Sequence, residues 1–425
     1  MADYTNTFFF PEKALGTGDN LQTQITFITT DQARTFVAVD EGVRILKYGK
    51  LSWKYRIDEP LMVPGRVKME LVDQNGVFAG FLFPAVGTEV INPLAEVKIS
   101  INGTVEFSGK IAEDSARYDL GTKVISFEVE SSLQAINDQM VFDLDDNAVN
   151  PFGYSSSAIL SLAVILEDIF GLANSNITYP DDIEIIHGWI FTGDTFPLTG
   201  PLEFGMSELF FIIFDFYFQT ANGIKTVGDV LRRLALDFGA FTGLISNDRA
   251  FFKQLFTYNS GNTQEIGTVL KHIRRYEYGL VDWVRVESIP LSESYTAGNE
   301  TQIEDRYIIQ ESLSYFRKNA TLSSSGLYAY TLPGPVEYRI YNSKYQSPDG
   351  TWNDEDTHGQ TLANFLHEMR GKITSCILDE FTLYGLTYDY LKDFEYDGKQ
   401  YQPVEMEKDL ETGITTIAAL YVGDA

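Results

Sequence analysis

Four histidines, one cysteine and sixty acidic side chains are the groups in this 425-residue chain with chemistry to offer, and their spacing limits what they can do. Serine hydrolysis on an α/β sheet needs a G-x-S-x-G elbow, which is missing. Cys376 has no base beside it in sequence, and its flanks Ile373 and Ile377 mark a buried, inert thiol. A single cysteine also excludes an intramolecular disulfide and four-cysteine zinc sites. His367-Glu368 opens like a zinc motif, but position 371 is glycine, so the second imidazole one helical turn on is absent. His187, His272 and His358 have no better setting. Calcium would suit Asp143, Asp145, Asp146 and Asn147, or Asp354 and Glu355 within Asn353 to Asp356. Neither run has the EF-hand glycine or its distant bidentate glutamate, so both read as solvated acidic loops. Glycoside hydrolysis needs two carboxylates roughly 5 to 10 Å apart. So many acids supply such pairs by chance, and nothing selects one. Trp189 and Trp352 are able to stack on sugars, although buried packing is the ordinary role of tryptophan. The N-x-[ST] triplets at Asn102, Asn176, Asn299 and Asn319 matter only in a eukaryotic secretory protein. The expectation is no catalytic residue, no metal, no cofactor and no enzyme.

Charge narrows the partners. Thirty-two basic against sixty acidic residues give −28, which disfavours a surface that grips phosphates. Arg232-Arg233 and Lys271 to Arg275 are the densest basic runs. The acidity is either a solvated surface or the wall of a channel through which DNA slides without sticking. At 44% hydrophobic and 14% aromatic the chain is too apolar for disorder, and its length predicts two to four domains. Met1 to Phe10 lacks the basic and apolar regions of a secretory signal. The longest apolar run, Leu209 to Phe218, contains Asp215 and falls short of the about 20 residues that span a bilayer. No membrane anchor is expected.

The elements follow from periodicity. Residues 1 to about 30 read as irregular, an arm that is either disordered or docked on a neighbour. Its lone G-x-G at Gly16 and Gly18 is no nucleotide loop. Arg44 to Ile57 and Arg66 to Leu71 are β-rich around a Pro64-Gly65 corner, and Val77 to Phe83 continues as strand after a turn at Asp73 to Gly76. Val97, Ile99 and Ile101 alternate with polar residues, Asn102-Gly103 makes a type I′ turn, and Val105 and Phe107 resume. Gly109 breaks that strand, Glu113 to Gly121 forms a loop, and Ile125, Phe127 and Val129 form a third strand before a short helix at Leu133. Ser155 to Phe170 has helical spacing, whereas the aromatic segment 174–221 is buried either in its own chain or in an oligomer contact. Thr226 and Asp229 cap a helix with Val227, Val230, Leu231, Leu234 and Phe238 on one face, ended by Gly239. A hairpin follows, Phe241 to Ser246 and Ala250 to Phe256 across Asn247-Asp248. Beyond a strand at Tyr276 to Val286, polar loops at Ser292 to Asp305 and Tyr345 to Gly359 enclose short pieces and an extended Pro333 to Ile340. A helix carries Leu362, Phe365, Leu366 and Met369. The finish is β: Ile373 to Leu386, Lys392 to Tyr396, an Asp397-Gly398 turn, Gln400 to Glu407 and Ile414 to Val422.

The order strand, N-G turn, strand ending F-S-G-K-I, polar loop, strand, S-S-L-Q resembles the first barrel of baseplate-hub proteins in bacteriophage tails and contractile injection machines. T-V-G-D-V-L-R-R-L-A with its hairpin is similar to the small α/β module of those hubs, and the last strands resemble the close of a second barrel. The aromatic segment 174–221 maps to nothing in that family. The resemblance implies a mainly β fold with α+β insertions, two small β-barrel tube-type domains plus helical and α/β modules. It divides the chain into 1–145 as the first barrel with its N-terminal arm, 146–225 as a helical and aromatic-rich insertion, 226–260 as the α/β module and 261–425 as the second barrel. It further implies a structural virion protein at the phage tail tip, made in the host cytoplasm, that encloses the DNA channel as a homotrimer. Its partners would be the tail tube or distal tail protein, a spike or fibre, and the tape-measure protein, with DNA passing unbound. The alternatives are a tail adsorption component with carbohydrate-binding loops and a wall-degrading tail hydrolase.

Overall fold

The computed structural model describes residues 4–29, 33–56, 59–82, 96–112, 114–139, 226–237, 240–246, 249–256, 258, 260–276 and 377–425. It adds residues 166 and 170 and the strand backbones 183–186, 283–290, 313–318 and 336–342. The described chain is mostly β with few helices, arranged in curled sheets.

The first sheet has nine strands, ordered Arg34–Val37, Tyr4–Phe9, Thr23–Thr29, Glu96–Ile101, Thr104–Ile111, Val124–Ser131, Arg66–Asp73 and Val43–Lys47, with Arg117–Asp119 beside Val124–Ser131. Val67, Met69, Leu71, Val97, Ile99, Ile125, Phe127 and Val129 all point inward and are fully buried, as a period of two requires when one face meets a core. Asn102 and Gly103 have φ of 49° and 86°, the two positive values of the expected type I′ turn. The two end strands do not pair, but Val43 N–H donates to Ala38 O at 2.7 Å in the connection between them.

Four expectations here are corrected. Residues 4–9 and 23–29 are strands, not an irregular arm; Asn6 and Thr7 interrupt the apolar alternation that would have revealed the first. Val77–Leu82 is helical, because the buried Asp73 carboxylate accepts the Ala79 N–H at 2.6 Å and starts a turn. That helix drives Phe78 into the concave core, 5.0 Å from both the Phe8 and Phe27 ring centres and 5.6 Å from Phe127. Gly109 does not break its strand. A Cβ there would fall 1.9 Å from Glu130 O, so glycine permits the close approach of two paired strands. Part of the loop at 113–121 is the short strand Arg117–Asp119.

The second sheet has ten strands, ordered Ile183–Ile186, Arg249–Gln254, Ala240–Ser246, Glu59–Val63, Lys50–Arg56, Lys399–Asp409, Ile414–Asp424, Ile377–Tyr384 and Val269–Tyr276, with Phe394–Tyr396 beside Lys399–Asp409. Lys50–Arg56 and Glu59–Val63 therefore sit in its middle, although the segments before and after them build the first sheet. Sheet membership is not sequential along the chain. Lys50–Arg56 pairs with Lys399–Asp409, and Glu59–Val63 meets the hairpin of the α/β module at Leu61 and Thr242. Periodicity reports that a residue is buried, not which sheet buries it. The crossings need glycine: a Cβ at Gly49 would meet Lys68 O at 2.4 Å, and one at Gly65 would meet Ser52 O at 2.8 Å. Arg44 to Ile57, read as one β segment, divides there.

The helix Val227–Asp237 rests on Ala240–Ser246, Glu59–Val63 and the helix Leu133–Asp138. Its cap is reciprocal despite the shorter aspartate: Asp229 N–H donates to Thr226 Oγ1 at 3.2 Å, and Thr226 N–H to Asp229 Oδ2 at 3.0 Å. A three-stranded sheet orders Leu313–Lys318, Trp283–Pro290 and Val336–Asn342. Of the helix expected at Ser155 to Phe170, Leu166 and Phe170 are helical and fully buried. The remainder of that helix lies outside the described residues. So do Asp143 to Asn147, the aromatic segment apart from Ile183–Ile186, the helix at Leu362 to Met369, Asn353 to Asp356 and Cys376.

Candidate functional site

Two solvent faces and the seam between the sheets hold the charged side chains. On the first sheet the face away from the core reads, across four strands, Glu96, Lys110, Glu130, Arg66 in one row. The next rows pair Glu128 with Lys68, and Glu70 with Lys47. Arg66 Nε donates to Glu130 Oε1 at 2.9 Å. Sign alternates along each row.

The second sheet is organised differently. Its outer face carries Lys50 and Lys54 on one strand and Glu405, Glu407 and Asp409 on the next. Thr416 and Ala418 follow, then Glu380, Thr382 and Tyr384, and finally Lys271, Ile273 and Arg275 on the edge strand. Here sign runs along strands. Lys50 Nζ lies 2.7 Å from Glu407 and 3.7 Å from Asp409, and the Glu407 hydrogen bond raises its pKa. Lys54 lies 3.5 Å from Glu405.

At the seam, Lys408 is buried and donates to Glu106 of the first sheet at 2.8 Å, with its ammonium 5.3 Å from the Trp53 ring centre. Arg249 meets Asp389 at 2.9 Å, and Lys253 meets Asp393 at 2.7 Å and Leu391 O at 2.9 Å. Burial works to raise the Asp389 pKa, but Arg249 prevails and the carboxyl stays below its ordinary value. These two cations are four residues apart on one strand, so both point at the loop that follows Tyr384. Gln264 holds the same loop, accepting from Asp389 N–H at 2.8 Å and donating to Asp389 O and Lys392 O. A cavity of about 230 Å³ lies between this loop and the Asn102-Gly103 turn, lined by Trp53, Glu106, Arg249, Asp389 and Lys408. Each charged group in that wall has an opposite partner.

One grouping looks catalytic by composition. Asp379, fully buried, accepts from Arg274 at 2.8 and 2.7 Å and from Tyr401 Oη at 2.8 Å, and it faces His272 Nε2 at 3.0 Å. Desolvation pushes its pKa up, yet three hydrogen-bonding neighbours overcome this and hold it below the usual carboxylate range. The carboxylate raises Arg274 further, and burial together with Asp379 raises Tyr401. His272 stacks on Phe381 with ring centres 4.5 Å apart. Every donor converges on one saturated acid, so the cluster clasps the edge strand to its neighbour. The sequence shows the run Lys271 to Arg275, and the strand's alternation sends His272 and Arg274 to Asp379 while Lys271 and Arg275 face outward. That pairing spans 105 residues, and no local signal reveals it.

His272 is the described one of the four histidines. Among the described residues, no three His, Cys, Asp or Glu side chains are placed to hold a metal ion, and no helix is long and apolar enough to cross a membrane.

No family model and no curated protein matches the chain. Among solved structures, it is similar to the 43 kDa tail protein of prophage MuSo2 from Shewanella oneidensis, at 11% identity over 89% of this chain and 97% of that one, with a TM-score of 0.42. It is also similar to a tail protein from Neisseria meningitidis MC58, at 8% identity over 99% of this chain and 97% of that one, with a TM-score of 0.44. A third is prophage tail protein gp18 from Listeria monocytogenes EGD-e, at 9% identity over 88% of this chain and 89% of that one, with a TM-score of 0.38.

Proposed function

We propose that this chain is a structural virion protein, a hub at the phage tail tip that joins the tail tube to the spike or fibres and encloses the DNA channel. The observation that carries this reading is the interlocking of two curled sheets. Lys50–Arg56 and Glu59–Val63 are central strands of the second sheet, although Val43–Lys47 before them and Arg66–Asp73 after them belong to the first. Strands shared in this way tie the two sheets to each other, an arrangement suited to a tail joint. In the two-barrel reading each sheet is one barrel, so three copies present six similar units to a sixfold tube and three subunits to a spike. The strand, N-G turn, strand, polar loop, strand and short helix order over residues 96–138 supports the same assignment. The proposed partners are the tail tube or distal tail protein, the spike or fibre, and the tape-measure protein, with DNA passing through unbound.

Light scattering on the purified 47.9 kDa chain tests this directly, with a mass three times that value expected. Monomers at every concentration, together with no ring at the tail tip in a virion reconstruction, would sink the proposal. So would a zymogram band on peptidoglycan that a single carboxylate substitution removes.

A further inference from the structure

The edge strand Val269–Tyr276 has features that its own sheet leaves unused. Lys271 and Arg275 are exposed and take no ion-pair partner among the described residues, whereas Arg274 and His272 are clasped to Asp379. Beside them, Leu270 is 43% exposed, Ile273 37% and Tyr384 44%, three of the seven large apolar side chains left exposed among the described residues. Lys271, Ile273, Arg275 and Tyr384 share one face by register, and Glu380 is the one carboxylate among them. Backbone pairing is not what this edge offers. A bulge lies between Val269 and Lys271, and long cations on an edge strand obstruct strand addition. What remains is a side-chain surface, apolar at its centre and cationic at both ends.

We propose that this surface docks on an acidic face of a second copy of the chain. Charge complementarity identifies the occupant: each copy carries −28, so its surface is dominated by the sign that Lys271 and Arg275 lack. Contact between unlike surfaces of identical subunits is heterologous, the type that closes cyclic rings. The inference deepens the ring reading given above and rests on it.

The test uses the full chain and the double variant Lys271→Glu/Arg275→Glu, with Arg117→Glu/Lys123→Glu as a control of equal charge change at exposed positions on the first sheet. Sedimentation velocity at low and high salt reads assembly, thermal melting reads folding, and a gel shift with double-stranded DNA reads phosphate binding. The wild type and the control should assemble, and less so as salt screens the contact. The edge variant should associate about tenfold more weakly or not at all, with an unchanged melting temperature. Assembly of the edge variant equal to wild type overturns the inference. So does a lower melting temperature without loss of assembly, which would mean that the chain covers this edge itself. DNA retardation that the edge variant abolishes overturns it in favour of a phosphate-binding strip. A ring in the virion with an edge variant that still assembles defeats this inference and leaves the hub reading standing. Monomers throughout and no ring defeat both.

Discussion

The outer faces of the two sheets carry similar residue types and arrange them in opposite ways. On the first, opposite charges alternate across hydrogen-bonded strands in the rows described, so those ions have partners about 5 Å away and their fields largely cancel. On the second, the acidic strand Lys399–Asp409 and the cationic edge Val269–Tyr276 lie three strand spacings apart, roughly 14 Å. At physiological salt the Debye length is about 8 Å, so those stripes barely see each other. A checkerboard completes itself, whereas a striped face keeps sign available for something else. Composition is blind to this difference, because only register distinguishes the two.

The contrast extends to burial and can be broken in order of effect. Lys253 and Asp393 face each other with no solvent access behind the second sheet. Asp393→Ala strands a buried ammonium and is expected to cost about 3–5 kcal/mol, read as a shift in urea midpoint. Replacing both partners with apolar residues should recover much of that loss. If the single and double variants are equally unstable, the pair is not what holds the loop.

The next effect is on pH. Asp379 has a depressed pKa, so its clasp contributes stability above the ordinary unfolded value of about 3.9 and loses it as pH falls through the folded value. Acid should therefore release the Val269–Tyr276 edge, and Asp379→Asn should flatten that part of the stability profile below about pH 4. Hydrogen exchange along this strand is the measurement, and protection that does not change with acid would contradict the clasp. The smallest effect belongs to the checkerboard. Arg66 is 60% exposed, and Arg66→Ala should change stability by less than about 1 kcal/mol despite its good geometry. A larger loss would show that the rows act cooperatively instead of pair by pair.

The sequence revealed what local pattern controls. Asn102-Gly103 and Asp397-Gly398 both take the two positive φ values their composition predicts, and the Thr226 cap and the last three strands fall where periodicity places them. It failed where a partner decides the outcome. Val77 to Leu82 is apolar enough for either strand or helix, and the Asp73 carboxylate chose. Tyr4–Phe9 is a strand because Thr23–Thr29 pairs with it, although Asn6 spoils the alternation. The candidate site was less legible still. From the sequence the strand begins only at Tyr276, so the outward alternation of Lys271, Ile273 and Arg275 is missed. The lack of ion-pair partners for the two cations among the described residues depends on strands far away in the chain.

The interlocked strands also impose an order in time. Lys50 and Glu407 meet across 357 residues, so a strand made early waits for one made near the end. Pairings of such high contact order form slowly, since much loop entropy is lost before they repay it. Until then Lys50–Arg56 exposes an unpaired flank carrying Trp53 and Tyr55, a template for contact with another nascent chain. Fragments ending before residue 399 are accordingly expected to aggregate, and the two halves of the molecule are expected to mature together after synthesis, not one after the other during it.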